Sequence, residues 1–140
     1  MSVYLDASVL LPTIIQEPGS EAVERFLARI DEGLVISEFA AAEAASGLSR
    51  LVRTHLIASD AAVRRLAIFD AWRADESQSI DIEGGDVRAA GAIVRRFELM
   101  LRAPDALHIA ICRRLDARLV TLDIRLAEAA DKLGVIVAPL

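Results

Sequence analysis

The fold is decided by the stretch Val3-Tyr4-Leu5-Asp6-Ala7-Ser8-Val9-Leu10, which lies close to the N-terminus. An apolar run that ends in one aspartate is typical of a buried strand that carries a carboxylate to the edge of a sheet. In open α/β sheets, ligands bind beyond the carboxyl ends of the strands. Asp6 is therefore predicted to lie where a functional site forms, although an aspartate here can also serve only to begin a turn or to cap a helix.

Short apolar segments alternate with helical segments along the rest of the chain. Four further strands are predicted, at Leu34–Ile36, Ser79–Ile82, Leu119–Leu122 and Val135–Val137. Apolar residues at helical spacing predict helices at about Ser20–Ile30, Glu38–His55, Ser59–Trp72, Asp86–Met100, Pro104–Leu115 and Ile124–Leu133. This alternation predicts an α/β fold with a short parallel sheet of about five strands flanked by helices. No linker or repeat divides the chain, so residues 1–140 are predicted to form one domain.

Composition excludes several classes of protein. Hydrophobic residues make up 54% of the chain, yet no window of about 18 residues is uninterruptedly apolar, so no membrane span is predicted. The first residues do not place a basic segment before an apolar one, so no secretory signal is predicted. The single cysteine, Cys112, lies in an apolar helical segment and is expected in the core of a protein of the reducing cytoplasm.

The net charge and the arginine content of the chain point to different kinds of partner. A net charge of −5 argues against a simple basic module for nucleic acid. All but one of the 16 basic residues are arginine, and the exception is Lys132. Arginine suits bidentate contacts with phosphate or carboxylate groups, but a GC-rich genome explains the same enrichment equally well.

Four acidic residues occupy positions that are unusual for a merely solvated charge. Asp6 and Asp123 end apolar strands, Asp105 lies in the first turn of a helix after Pro104, and Glu43 lies inside an alanine-rich helix. Each has a simpler explanation when it is taken alone. Asp123 can be a helix cap, Asp105 can interact only with the helix dipole, and Glu43 can face solvent.

Taken together, four segments resemble the PIN-domain ribonucleases and, within them, the VapC toxins of type II toxin–antitoxin pairs. In chain order they are Tyr4-Leu5-Asp6-Ala7-Ser8, Ile36-Ser37 with Glu43 six residues after the serine, Pro104-Asp105-Ala106-Leu107-His108-Ile109-Ala110, and Leu119-Val120-Thr121-Leu122-Asp123. The terminal Leu133-Gly134-Val135 also fits. The resemblance covers almost the whole chain, and it depends on the order and spacing of the segments.

The resemblance implies a PIN fold in which the acids converge at one end of a parallel sheet. It implies that Asp6, Glu43, Asp105 and Asp123 form a catalytic site for one or two Mg²⁺ or Mn²⁺ ions, and that metal-activated water cleaves RNA. Three further residues would support the ligands. They are Ser8 beside Asp6, Thr121 in the strand that precedes Asp123, and His108 on the same helix face as Asp105.

The chemistry of carboxylates independently supports such a site. Four carboxylates in one pocket repel one another and cannot all remain ionised without cations. Hard divalent ions with oxygen ligands relieve this repulsion, and Mg²⁺ keeps several waters among its ligands. Two ions roughly 3.5–4 Å apart can clamp the attacking and the leaving oxygens. One cysteine and two histidines supply no zinc site.

The expected partners also follow from the resemblance. Arg50, Arg53 and Arg102 are candidates for contacts with RNA phosphates, although each can equally lie on a solvated face. A VapC-like toxin pairs with a small VapB-like antitoxin and forms a homodimer, for which the helices of residues 38–72 are a plausible surface.

The same residues argue against several other folds and functions. Dinucleotide-binding and P-loop folds need glycine-rich turns that are absent after the first strand. A haloacid-dehalogenase phosphotransferase would have an aspartate where Ser8 stands, and a response-regulator receiver would have a lysine at a late strand end. Two alternatives stay open, namely a housekeeping PIN nuclease for RNA processing and a catalytically inactive PIN-like protein that binds RNA or a partner.

Overall fold

Four parallel strands form the centre of the computed structural model, which describes all 140 residues. They are β1 (Val3–Leu5), β2 (Leu34–Ser37), β3 (Ser77–Ile80) and β4 (Arg118–Val120). Their order across the sheet is β3-β2-β1-β4. Because parallel strands end at a common edge, the residues after β1 and β4 are neighbours, and the backbone N–H of Asp6 donates to the carbonyl of Val120 at 3.3 Å.

Seven α-helices cover the two faces of this sheet. They are α1 (Ala7–Ile14), α2 (Ser20–Arg29), α3 (Glu38–Arg53), α4 (Ser59–Glu76), α5 (Gly84–Val94), α6 (Ala103–Leu115) and α7 (Ile124–Lys132), with a 3₁₀ turn at Phe97–Leu99. Successive strand residues point to opposite faces. Tyr4 therefore packs in the core formed with α5, α6 and α7, whereas Leu5 packs in the core formed with α1 to α4. Each helix is too short or too polar to cross a membrane.

The last predicted strand, Val135–Val137, adds only one bridge pair beside β4. Val137 pairs with Leu119 in parallel. The N–H of Leu119 donates to the carbonyl of Ile136, and the N–H of Ala138 donates to the carbonyl of Leu119, both at 2.8 Å. The pair is an isolated bridge and does not extend into a fifth strand of the sheet.

Helix α1 is the element that the sequence did not predict, because Pro12 lies inside it. Proline removes one hydrogen bond from a helix. The hydroxyl of Ser20 donates to the carbonyl of Pro12 at 2.9 Å, which ties this short helix to the start of α2. Two predicted boundaries also shift. Strand β3 begins at Ser77 because α4 continues to Glu76, and α5 ends at Val94 rather than near Met100.

Candidate active site

Asp6 lies directly after β1, is 3% exposed and has both carboxylate oxygens bound by hydrogen bonds. Its Oδ1 accepts from the hydroxyl of Ser8 at 2.6 Å and from the N–H of Val9 at 3.3 Å. Its Oδ2 accepts from the hydroxyl of Thr121 at 2.6 Å. The bond from Val9 also makes Asp6 the N-cap of α1, so the residue is a helix cap as well as an acid at the sheet edge.

The carboxylate of Asp6 is buried without a basic partner. Burial raises the pKa of Asp6, and the hydrogen bonds from Ser8 and Thr121 offset only part of this effect. Asp86 is the contrasting case, at 2% exposed. Burial opposes its ionisation as well, but Arg114 donates to both carboxylate oxygens at 2.8 and 2.9 Å, and the pKa of Asp86 is lowered. Since buried charges are normally paired or bound to metal, Asp6 lacks the cation that Asp86 has.

Thr121 connects Asp6 to Asp123, which is the third residue after β4 and is exposed. The N–H of Asp123 donates to the hydroxyl oxygen of Thr121 at 3.0 Å. Oδ1 of Asp123 accepts from the N–H groups of Arg125 and Leu126 at 3.0 and 3.2 Å, which caps α7. The simple interpretation of Asp123 as a helix cap is therefore confirmed, and its Oδ2 is free to bind a ligand.

Asp105 is the third residue of α6 and is half-buried. Burial raises the pKa of Asp105, and the negative charge of Asp123 raises it further. The backbone N–H and the side-chain charge of Arg102 act in the opposite direction. Asp105 and Asp123 are thus close enough to repel each other, as expected of acids that share a site.

Glu43 is held by a buried chain of side chains from three elements. Oε1 of Glu43, on α3, lies 2.6 Å from Nε2 of His108, on α6. Nδ1 of His108 lies 2.7 Å from the hydroxyl of Tyr4, which lies 2.7 Å from Oγ of Ser37. Both ring nitrogens of His108 take part in hydrogen bonds and the residue is 3% exposed. Its geometry is therefore that of a residue that supports Glu43.

Sequence analysis did not identify Tyr4 and Ser37 as parts of this site. One signal was available, because a tyrosine in a buried strand needs a partner for its hydroxyl. The identity of that partner was not available, since His108 lies 104 positions away in the chain.

The acids provide the oxygen donors that a hard divalent cation prefers, but they do not form a closed cage. No group of three or more His, Cys, Asp or Glu side chains is arranged to hold a metal ion as it stands. Mg²⁺ is usually bound through one or two carboxylates and completed by water and substrate phosphates, so it does not require a closed cage. The unpaired buried charge of Asp6 and the repulsion between Asp105 and Asp123 are the features that such a cation would relieve.

The three arginines proposed to contact RNA differ in their relation to these acids. All three are exposed. Arg102 caps α6 immediately before the site, and its charge acts on Asp105. Arg50 and Arg53 lie in the last turn of α3 and contact no site carboxylate, and Arg53 donates to the hydroxyl of Ser49 at 2.7 Å. Of these three arginines, only Arg102 has a charge that acts on one of the four acids.

Comparison with known proteins places this site in a family. The model of the PIN domain matches residues 3–132. The chain belongs to the PIN-domain family. This PIN domain is 34% identical over 142 residues to a protein named ribonuclease VapC46 from Mycobacterium tuberculosis, covering 99% of this chain and 98% of that protein. The sequence resemblance to VapC proteins is thereby confirmed.

Solved structures share the same fold. The toxin VapC20 of Mycobacterium tuberculosis, described as cleaving the sarcin-ricin loop, superposes with a TM-score of 0.72 at 18% identity, over 91% of this PIN domain and 94% of that chain. VapBC2 of Rickettsia felis, bound to a DNA fragment from its promoter, gives a TM-score of 0.71 at 18% identity, over 99% and 98% of the two chains. At this level of identity the likeness confirms the PIN fold.

Proposed function

We propose that this PIN domain is a metal-dependent endoribonuclease of the VapC type, the toxin of a type II toxin–antitoxin pair in the cytoplasm. The observation that carries the proposal is the buried carboxylate of Asp6, which has no cationic partner and lies at the sheet edge shared with Asp123. The relative that matches over the full length is named a ribonuclease, which supports the same activity here.

Asp6, Glu43, Asp105 and Asp123 would hold one or two Mg²⁺ or Mn²⁺ ions. When bound, such an ion supplies a water of lowered pKa as the nucleophile and a positive charge for the phosphodiester. The side chains around the acids have a separate task, which is to fix the carboxylates. Ser8 and Thr121 donate to opposite oxygens of Asp6, and these two bonds prevent its carboxylate from rotating.

Substrate binding is proposed to use the cation beside the acids. Arg102 is exposed and its charge already acts on Asp105, so a phosphate at the site would lie within its reach. Arg50 and Arg53, farther along α3, would contact phosphates more distant from the cleaved bond. Arginine suits this role because its planar guanidinium binds phosphate through two parallel hydrogen bonds.

A VapB-like antitoxin and a second copy of the chain are the proposed protein partners. The structural neighbours include VapBC complexes from Rickettsia felis and Salmonella typhimurium, which supports a partner of this kind. For the homodimer, helix α4 offers exposed apolar side chains at Val63 and Ile68, which are 65% and 71% exposed.

The ends of the RNA products test the proposed reaction. Attack by water with departure of the 3′ oxygen leaves a 5′-phosphate and a 3′-hydroxyl, and EDTA should stop the reaction. Attack by the neighbouring 2′-hydroxyl needs no metal and leaves a 2′,3′-cyclic phosphate. We expect 5′-phosphate ends, detected by ligation and by mass spectrometry, in Mg²⁺ or Mn²⁺ alone. Cyclic phosphate ends that persist in EDTA would reject the proposal.

A further inference from the structure

A continuous line of hydrogen bonds, buried as far as His108, runs from Ser37 through Tyr4 and His108 to Glu43. Tyr4 and Ser37 are fully buried, and His108 is 3% exposed. We propose that Tyr4 is a positioning residue whose hydroxyl fixes the ring orientation and the tautomer of His108, so that His108 holds the Glu43 carboxylate in place. The consequence for metal binding rests on the proposed function, whereas the hydrogen-bond relay rests on geometry alone.

The bonding of Ser37 sets the direction of the relay. Its Oγ accepts from the N–H of Ala40 at 2.9 Å as the N-cap of α3. The hydroxyl of Tyr4 is the only other group within hydrogen-bonding distance of this oxygen, so the proton of Ser37 is donated to Tyr4. Tyr4 then donates its own proton to Nδ1 of His108.

This direction leaves one arrangement for the imidazole. With Nδ1 accepting from Tyr4, the ring carries its proton on Nε2 and donates it to Oε1 of Glu43 at 2.6 Å. The reverse direction would leave the hydroxyl proton of Ser37 without an acceptor in a fully buried position. Buried polar groups without partners are costly and rare, so the Nε2–H tautomer is the one that satisfies every group.

Packing fixes the plane of the imidazole but not its flip. The rings of Tyr4 and Phe39 lie 5.6 and 5.5 Å from the ring of His108, centroid to centroid. A 180° rotation about the Cβ–Cγ bond keeps the ring in this plane, but it exchanges Nδ1 with Cδ2 and Nε2 with Cε1. The bonds to Tyr4 at Nδ1 and to Glu43 at Nε2 distinguish the two orientations, so removal of the Tyr4 hydroxyl takes away one of the two bonds that hold the ring and the only donor to Nδ1.

Nuclear magnetic resonance on the metal-free full chain tests the relay directly. The chain has two histidines, and His55 is exposed, so His55→Gln assigns the signals. Long-range ¹H–¹⁵N spectra at neutral pH should show the Nε2–H tautomer for His108 in the wild type. In Tyr4→Phe the same spectra should show a mixed or altered state. The Nδ1–H tautomer in the wild type, or an unchanged His108 spectrum in Tyr4→Phe, would overturn the relay.

The affinity for Mn²⁺, measured by calorimetry, tests the consequence of the relay for metal binding. Changes to residues that orient metal ligands typically cost 10–100-fold in affinity, and we expect about 10-fold for Tyr4→Phe. In a Glu43→Gln background, Tyr4→Phe should have no further effect. Ile111→Val is the matched control, since Ile111 is fully buried in the same core as Tyr4 but lies outside the relay, and its Mn²⁺ affinity should equal that of the wild type.

A pair of substitutions at His108 repeats the test without altering Tyr4, should Tyr4→Phe fail to fold. The amide N–H of glutamine in His108→Gln can donate to Glu43, so Mn²⁺ affinity should be largely retained, whereas His108→Leu should lose about 10–100-fold. Equal losses in both variants would overturn the positioning role. Absence of Mn²⁺ binding in the wild type would instead reject the proposed function, and the histidine spectra would still decide the relay.

Discussion

Replacing Asp6 with asparagine should abolish metal-dependent RNA cleavage while the protein remains folded. The asparagine Oδ1 can still accept from Ser8 and Val9, and its amide N–H can donate to the hydroxyl oxygen of Thr121, because a hydroxyl both donates and accepts. The change therefore removes the negative charge and preserves the local hydrogen bonds. We expect a loss of at least about 100-fold, the upper end of the range for residues that only contact metal ligands.

Asp75→Asn provides the matched control for this substitution. Asp75 is exposed on α4 and lies outside the predicted site, so the same chemical change should leave cleavage at the wild-type rate. The measurement is the initial rate of RNA cleavage in Mg²⁺ with all three purified proteins, accompanied by circular dichroism spectra. Full activity in folded Asp6→Asn would remove Asp6 from the catalytic site.

Divalent metal should raise the melting temperature of the wild type by roughly 5–10 °C at a concentration of 100 times the dissociation constant. Binding at that concentration adds about 2.7 kcal/mol to the stability of the folded state, and the shift follows for a chain of this size. Asp105→Asn removes one proposed ligand and should therefore respond weakly to metal. The melts are compared at constant ionic strength, with Asp75→Asn as the control that should respond like the wild type.

The Asp105→Asn variant should also differ from the wild type in melting temperature when no metal is present. The pKa of Asp105 in the folded state lies above its ordinary value of 3.8. A group of this kind contributes its stability fully below the unfolded pKa and loses it as pH rises through the folded pKa. Metal-free Asp105→Asn should therefore melt above the wild type at neutral pH, and this difference should disappear by about pH 4. An equal gain from metal in both proteins would place the ions elsewhere.

The sheet edge that carries the site could be predicted because its signal is local. An apolar run that ends in an acid marks β1 and Asp6. The simpler interpretation of the acids was also partly right. Asp6 and Asp123 do cap α1 and α7, so a capping role and a position at the functional edge are compatible in one residue.

Helix α1 shows where local propensity was misleading. Proline inside a helix is normally unfavourable, and the sequence around Pro12 indicated an interruption. The buried side of α1 contains Val9, Leu10 and Ile14, which pack in the core with α2 and α3. Tertiary packing of this apolar face outweighs the one hydrogen bond that proline removes.

The support of Glu43 could not be predicted, because it depends on which strands pair. Tyr4 pairs with Val35 of β2 and with Leu119 of β4, and this register places its hydroxyl between Ser37 and His108. Glu43 and His108 are 65 positions apart in the chain. No local pattern encodes contacts of such separation, so the order of the strands had to be known first.

A crystal structure of the protein with Mn²⁺ is the most direct test of the proposal that the four acids bind metal, because anomalous scattering locates the ion independently of activity. We expect an anomalous peak at the sheet edge, from an ion bonded to a carboxylate oxygen of Asp6 or Asp105 and completed by water, with any second ion beside Glu43 or Asp123. The peak should vanish in crystals of Asp6→Asn. A fully occupied Mn²⁺ site elsewhere on the surface, with none of these four carboxylates as a ligand, would contradict it.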